Sequence, residues 1–251
     1  PHNLPSAVTP LVGRARELTR VRALLDEGRL VTLTGVGGGG KTRLAMRAAE
    51  ELLDGFADGV WMVELAPVAD GADVPRTVAR ALGVTETAGR SLVDSLAVYL
   101  SRRALLLVLD NCEHVVEAAA SLAQALLAAA PQVKILATSR EVLGLPGESV
   151  FQVPPLQIPA GRRQSFEELA ATEAIQLFAQ RAAQVNPAFR VDRENVEEIA
   201  EICSRLEGIP LALELAAART KVLSLGEIAR RLDDRFRLLK GTSRTALPHH
   251  Q

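Results

Sequence analysis

An excess of charge of either sign is missing from this 251-residue sequence: 29 Lys and Arg stand against 30 Asp and Glu, a net charge of −1. Holding DNA by phosphate neutralisation needs a basic excess, so direct DNA binding by this segment is disfavoured, a local patch aside. Cysteine is nearly absent. Cys112 and Cys203 lie far apart, lack metal-ligand spacing and sit in apolar surroundings, which points to structural thiols in a reducing compartment, the cytoplasm. No apolar stretch is long enough to cross a bilayer, since 118–130 is interrupted by Ser121 and Gln124. The N-terminus carries no secretory signal pattern. With no initiator Met and a C-terminal end, 242–251, that has neither a helix stop nor a charged tail, the sequence reads as a piece of a longer protein, with His249 and His250 native to it.

What is present is apolar and periodic. A hydrophobic content of 48% is ample for a core. Segments 30–34, 60–65, 105–110, 134–138 and 149–153 read as strands, and 41–53, 74–82, 92–100 and 115–129 between them as helices. That alternation predicts an α/β fold with a five-stranded parallel sheet covered on both faces and right-handed crossovers. Pro154, Pro155, Pro159 and Gly161 break the pattern, after which only helical periodicity follows: 166–185, 194–206, 210–219 and 225–232. Ser224 and Glu227 form a capping-box pattern ahead of the last. The expected organisation is an α/β domain over 1–158 and a small all-helical domain with a C-terminal linker over 159–251.

Gly35-Val-Gly-Gly-Gly-Gly-Lys-Thr42 stands between the first strand and the first helix of this alternation, the context of a phosphate-binding P-loop. A flexible linker would not be bracketed in that way. Gly35, Gly37, Gly38, Gly39 and Gly40 let the backbone curl around phosphate oxygens, Lys41 supplies charge at the β/γ-phosphates, and Thr42 offers a hydroxyl to Mg2+; Arg43 follows at the start of the helix. The run of four glycines also predicts a mobile empty loop. A nucleoside triphosphate is the expected ligand.

A second anchor for the metal belongs at the end of a buried strand, where Leu105-Leu-Leu-Val-Leu-Asp110 supplies Asp110. Next to it, Asn111 can orient a water but cannot take its proton, and Glu113 is the nearest carboxylate. Glu113 reads either as a catalytic base or as an acid at a helix start. Ala137-Thr-Ser-Arg140 ends the following strand, making Arg140 a candidate reader of the γ-phosphate, or alternatively a solvated Arg at a helix start.

Val12-Gly-Arg14, Gly35 to Thr42, Leu105 to Asp110, Thr138-Ser-Arg140 and Gly208-Ile-Pro-Leu-Ala212, in this order, resemble the NB-ARC branch of the STAND signal-transduction ATPases across nearly the whole chain. Within that branch, the stretches from Val108 to His114, Ala137 to Glu141 and Leu215 to Arg219 are similar to the ATPase core of large actinobacterial transcriptional regulators of the SARP and LuxR types. The resemblance implies that Val12, Gly13 and Arg14 line the adenine and ribose side and that Pro210 closes over the base from the helical domain. It implies a winged-helix domain past Gln251, DNA contact by other domains, and self-association with ATP bound. Gly39, where relatives carry a bulkier apolar residue, and Asn111, where many carry a second Asp, depart from the pattern and argue against rapid hydrolysis.

The combined expectation is a switch governed by ATP or ADP with Mg2+, hydrolysing slowly through Lys41, Asp110, Asn111, Glu113 and Arg140. The rival readings are a steadily cycling ATPase or phosphotransferase, for which the sequence offers no acceptor constellation, and a scaffold with a vestigial site.

Overall fold

The computed structural model describes residues 1–232 apart from 7, 8, 87, 88, 160, 162 and 163, so the tail from 233 onward, including most of the expected linker, lies outside the described residues. The chain divides into two compact units, Pro1–Pro154 and Pro155–Gln251.

In the first unit, α1 (Ala15–Glu27) precedes β1 (Leu30–Thr34), α2 (Lys41–Glu51), β2 (Val60–Glu64), α3 (Val74–Leu82), α4 (Leu92–Leu100), β3 (Leu106–Asp110), α5 (Val116–Ala129), β4 (Lys134–Thr138) and β5 (Glu148–Gln152). All strand pairs are parallel, in the order β2-β3-β4-β1-β5. Parallel strands need both faces covered, and the sequence supplies apolar residues at nearly every central position. On β3, Leu107 and Leu109 pack with α3, α4 and α5, whereas Leu106 and Val108 pack with α1 and α2. All five residues of β3 are buried. Each such side chain contributes roughly 1.5–3 kcal/mol by leaving water. The sheet is therefore rigid where its C-terminal ends must hold polar groups.

Five elements differ from the periodicity in this unit: β2 ends at Glu64, β3 starts at Leu106 and α5 at Val116, each one residue short of the expected span, and β5 and α2 differ as well. β5 spans 148–152 rather than 149–153, because the Glu148 carboxylate accepts the backbone N–H groups of Leu143, Gly144 and Leu145 and fixes the strand start. Hydrogen bonding nevertheless runs on past the strand, with Val153 N–H donating to Thr34 O at 2.8 Å. The helix expected over 41–53 ends at Glu51, and a 3-10 turn at Leu53–Gly55 follows.

The second unit contains α6 (Phe166–Ala170), α7 (Glu173–Val185), α8 (Val196–Arg205) and α9 (Pro210–Ala217), with 225–232 helical; no strand occurs among its described residues. The single helix expected over 166–185 is two. Ser165 and Glu168 close a capping box at the start of α6, and the extended backbone of Thr172 (φ −69°, ψ 131°) ends that turn before α7 begins. The Ser224 and Glu227 pair does cap the last helix, through Glu227 N–H to Ser224 Oγ at 3.3 Å and Ser224 N–H to Glu227 Oε2 at 2.9 Å. The helix expected over 210–219 gives way at Ala218 to a 3-10 turn, Ala218–Lys221. Gly208 has φ +66°, and a Cβ there would lie 2.2 Å from Leu156 O, so the strand-like contact of Leu156 with the α8–α9 turn demands glycine.

Cys112 and Cys203 are both fully buried, and desolvation pushes each thiol up to about 12. Neither is expected to react with a thiol-specific chromophore in the native protein at pH 8, whereas both react in guanidinium. A fast-reacting thiol in the native state would contradict this packing.

Candidate nucleotide site

The C-terminal ends of β1, β3 and β4 meet where α2 begins. Gly35, Gly38 and Gly40 have φ of 140°, 73° and 89°, which makes the chain after β1 curl before entering the helix. Gly40 is the N-cap of α2, and the first turn begins at Lys41 and Thr42. Backbone N–H groups and the positive end of the helix dipole therefore face the loop, an arrangement suited to anions. Lys41 Nζ donates to the carbonyls of Gly35 at 2.9 Å and Val36 at 3.1 Å, spanning the loop in which a phosphate would sit.

Asp110, at the end of β3, is 5% exposed. Thr42 Oγ1 donates to its Oδ1 at 2.7 Å and Thr138 Oγ1 donates to the same oxygen at 2.6 Å. A hydroxyl and a carboxylate this close offer the hard oxygen donors Mg2+ prefers. Among the described residues no group of three His, Cys, Asp or Glu could hold a metal unaided. Mg2+, which keeps several waters and takes phosphate oxygens when nucleotide is bound, fits this sparse donor set.

Asn111 turns through the left-handed region (φ 65°), and a 3-10 turn, Cys112–His114, carries Glu113 back toward the loop. Glu113 Oε1 pairs with Arg140 Nε at 3.2 Å, while its Oε2 is buried without a hydrogen-bond partner. Arg140 is otherwise open: its side chain is 66% exposed, and its Nη2 would lie 3.4 Å from a Cβ at Gly37. The guanidinium thus stands over the P-loop. Burial holds the Lys41 ammonium below the ordinary lysine range; Glu113 opposes that shift, Arg140 adds to it, and Asp110 again opposes. One cluster therefore unites Lys41, Thr42, Asp110, Glu113 and Arg140.

Val12, Gly13 and Arg14 lead into α1 beside this cluster. Val12 is half-buried and Gly13 exposed. Arg14 is 2% exposed and takes up left-handed backbone at φ 69°, which costs an L-residue about 1 kcal/mol or more. Its guanidinium donates to Pro154 O at 2.6 Å and Gly39 O at 3.1 Å, and meets Glu17 Oε1 at 3.4 Å. Arg43 donates to the carbonyls of Thr9 and Pro10. A cavity of about 400 Å³ lies between this N-terminal segment and α2, lined by Leu11, Gly13, Leu18, Arg43 and Met46 among others. Pro210 is the first residue of α9 in the second unit, half-buried, where its fixed φ suits a helix start.

Gly39 has a physical reason. Its N–H closes a turn onto Val36 O at 3.1 Å, and a Cβ there would come within 3.0 Å of the same oxygen. A larger residue is accommodated only if the turn opens by a few tenths of an ångström. Thr138 had no role in the sequence beyond its place in the Thr138-Ser-Arg140 stretch, because a hydroxyl at a strand end signals nothing until the β3–β4 register is known.

Residues 24–140 match the family described as AAA domain. Over that stretch the chain is similar to AAA-type P-loop domains. The whole chain is similar to larger proteins: it is 46% identical over 231 residues to a Mycobacterium tuberculosis (strain ATCC 25618 / H37Rv) protein provisionally named an HTH-type transcriptional regulator, covering 92% of the chain but 25% of that protein. An uncharacterized protein of the same strain is 41% identical over 250 residues, 100% of the chain and 61% of its own length. The regulatory protein AfsR of Streptomyces coelicolor (strain ATCC BAA-471 / A3(2) / M145) is 28% identical over 260 residues, 95% of the chain and 24% of that protein. The chain thus spans a quarter to three-fifths of the length of these relatives. Its fold is shared with a STAND protein bearing a tetratricopeptide repeat sensor from Pyrococcus horikoshii (TM-score 0.55, 17% identity, 92% of this chain and 33% of that one). It is shared also with a Walker-type ATPase of Pyrococcus abyssi (TM-score 0.57, 16% identity, 94% and 77%). The STAND resemblance read from the motifs agrees with these solved structures in fold. No described helix is long and apolar enough to cross a membrane.

The bonds from Arg14 and Lys41 brace a loop that its glycine content alone predicts to be mobile. Replacing Arg14 by Ala is expected to speed amide exchange across residues 35–42 about tenfold, the equivalent of one to two lost hydrogen bonds. Unchanged exchange would show that Arg14 does not hold the loop.

Proposed function

We propose that this chain is the nucleotide-binding core of a multidomain transcriptional regulator and works as a slow ATP/ADP switch. The observation that carries the reading is the convergence on buried Asp110 of the P-loop hydroxyl, Thr42, at 2.7 Å, beside a Lys41 already seated on the loop carbonyls. When bound, Mg2+ would supply charge neutralisation at the phosphates. Thr42 and Asp110 hold it, Lys41 and the α2 N-terminus hold the phosphates, and the cavity beside Leu11, Gly13, Arg43 and Met46 takes the base. Pro210 is the proposed contact from the helical unit.

Slow turnover follows from the groups that would have to activate water. The Asn111 amide orients but cannot accept a proton, and Glu113 has one oxygen tied to Arg140. Water activation therefore waits on the Arg140 guanidinium exchanging Glu113 for the γ-phosphate, so the reader of the terminal phosphate also controls the candidate base. Nucleotide then selects one arrangement of the two units through unequal affinities, since a ligand shifts an equilibrium only by such a difference. Self-association with ATP bound, and DNA contact through segments outside this chain, complete the proposal. The names of the mycobacterial and Streptomyces relatives support the regulatory setting.

Light scattering with ADP and then with a non-hydrolysable ATP analogue tests the switch. The account predicts a larger particle, or a changed hydrodynamic radius, with the analogue only, and turnover below about 1 per second, the low end of ordinary enzymes. Identical behaviour with both nucleotides, or turnover well above that rate, would favour a steadily cycling ATPase or phosphotransferase.

A further inference from the structure

Thr138 closes β4 and is 1% exposed. Its hydroxyl accepts the Asn111 N–H at 2.9 Å and donates to Asp110 Oδ1 at 2.6 Å. The polarity is forced, because an amide N–H can only donate and a hydroxyl has a single proton, which is left for the carboxylate. The residue thereby ties two consecutive positions of the neighbouring strand end.

Each bond has its own consequence. At Asp110, Thr42 and Thr138 both donate to Oδ1, so the carboxylate is held from two sides and its rotamer is fixed with Oδ2 left for other partners. At Asn111, the N–H bond holds the left-handed reversal (φ 65°) that sends Glu113 back toward Arg140. Volume alone does not ask for this: β4 places Ile135, Leu136 and Ala137 in the core, and a valine would match the volume of Thr138 but leave the Asn111 N–H and one side of Asp110 Oδ1 without their partner.

We infer that Thr138 is a positioning residue for the divalent metal, setting the Asp110 carboxylate so that metal and nucleotide bind together. The inference rests on the nucleotide reading above. Partners that orient a metal ligand from behind typically carry 10- to 100-fold in metal affinity. Loss of the hydroxyl should therefore weaken the contribution of Mg2+ and spare the contribution of the loop.

Calorimetric titration of a non-hydrolysable ATP analogue into the chain, with Mg2+ and separately with EDTA, tests this on wild type, Thr138→Val and Thr138→Ser. Mg2+ is expected to tighten binding to wild type, and that gain to fall about tenfold or more in Thr138→Val, the low end for such partners. Affinity in EDTA should stay within about twofold of wild type, and Thr138→Ser should keep the gain. An undiminished gain in Thr138→Val overturns the inference while leaving nucleotide binding intact, as does an equal loss in both conditions. Loss of the gain in Thr138→Ser overturns it even if the valine variant does not fold. A wild type indifferent to Mg2+ overturns it too, and a wild type that binds no analogue in either condition overturns the nucleotide reading with it.

Discussion

Three segments distant in sequence end on one oxygen atom. Asp110 Oδ1 accepts from Thr42 at the start of α2 and from Thr138 at the end of β4, while Asp110 itself closes β3. A buried carboxylate without donors would be costly, and hydrogen bonds to a charged group contribute about 1.5–3 kcal/mol each, so this knot holds together only when all three elements are in register. The strand order decides that they can be. Because β4 lies between β1 and β3, the residue ending β4 is adjacent both to the P-loop strand and to the acid.

From the knot outward, the remaining site follows. Immediately after Asp110 the chain reverses at Asn111, and the short 3-10 turn returns Glu113 to the loop, where Arg140, two residues after Thr138, meets it. On the other side, Arg14 connects the N-terminal segment to Gly39 and to Pro154, the last residue of the first unit. The P-loop and the chain exit from the sheet are thus joined through one side chain, that of Arg14.

Much of this was legible in the residues. The P-loop declares itself because glycines, a lysine and a hydroxyl occur at fixed spacing between a strand and a helix, and Asp110 because five apolar residues precede it. What sequence could not show depends on neighbours across the sheet. Thr138 acquires a role only through the β3–β4 register, Arg14 only because its side chain reaches Gly39 O, and Gly208 only because a Cβ there would meet Leu156 O. Similarly, continuous helical periodicity over 166–185 hid the break at Thr172, since periodicity reports a face and not the backbone path along it.

The central claim is that the cradle around Lys41, Thr42 and Asp110 binds a nucleotide. Calorimetric titration of ADP with Mg2+ into wild type and Lys41→Ala measures it directly. Wild type is expected to bind clearly and the variant not at all, or at least about a hundredfold more weakly, the scale of a charged contact left unmade. Equal affinity in the two proteins would contradict it.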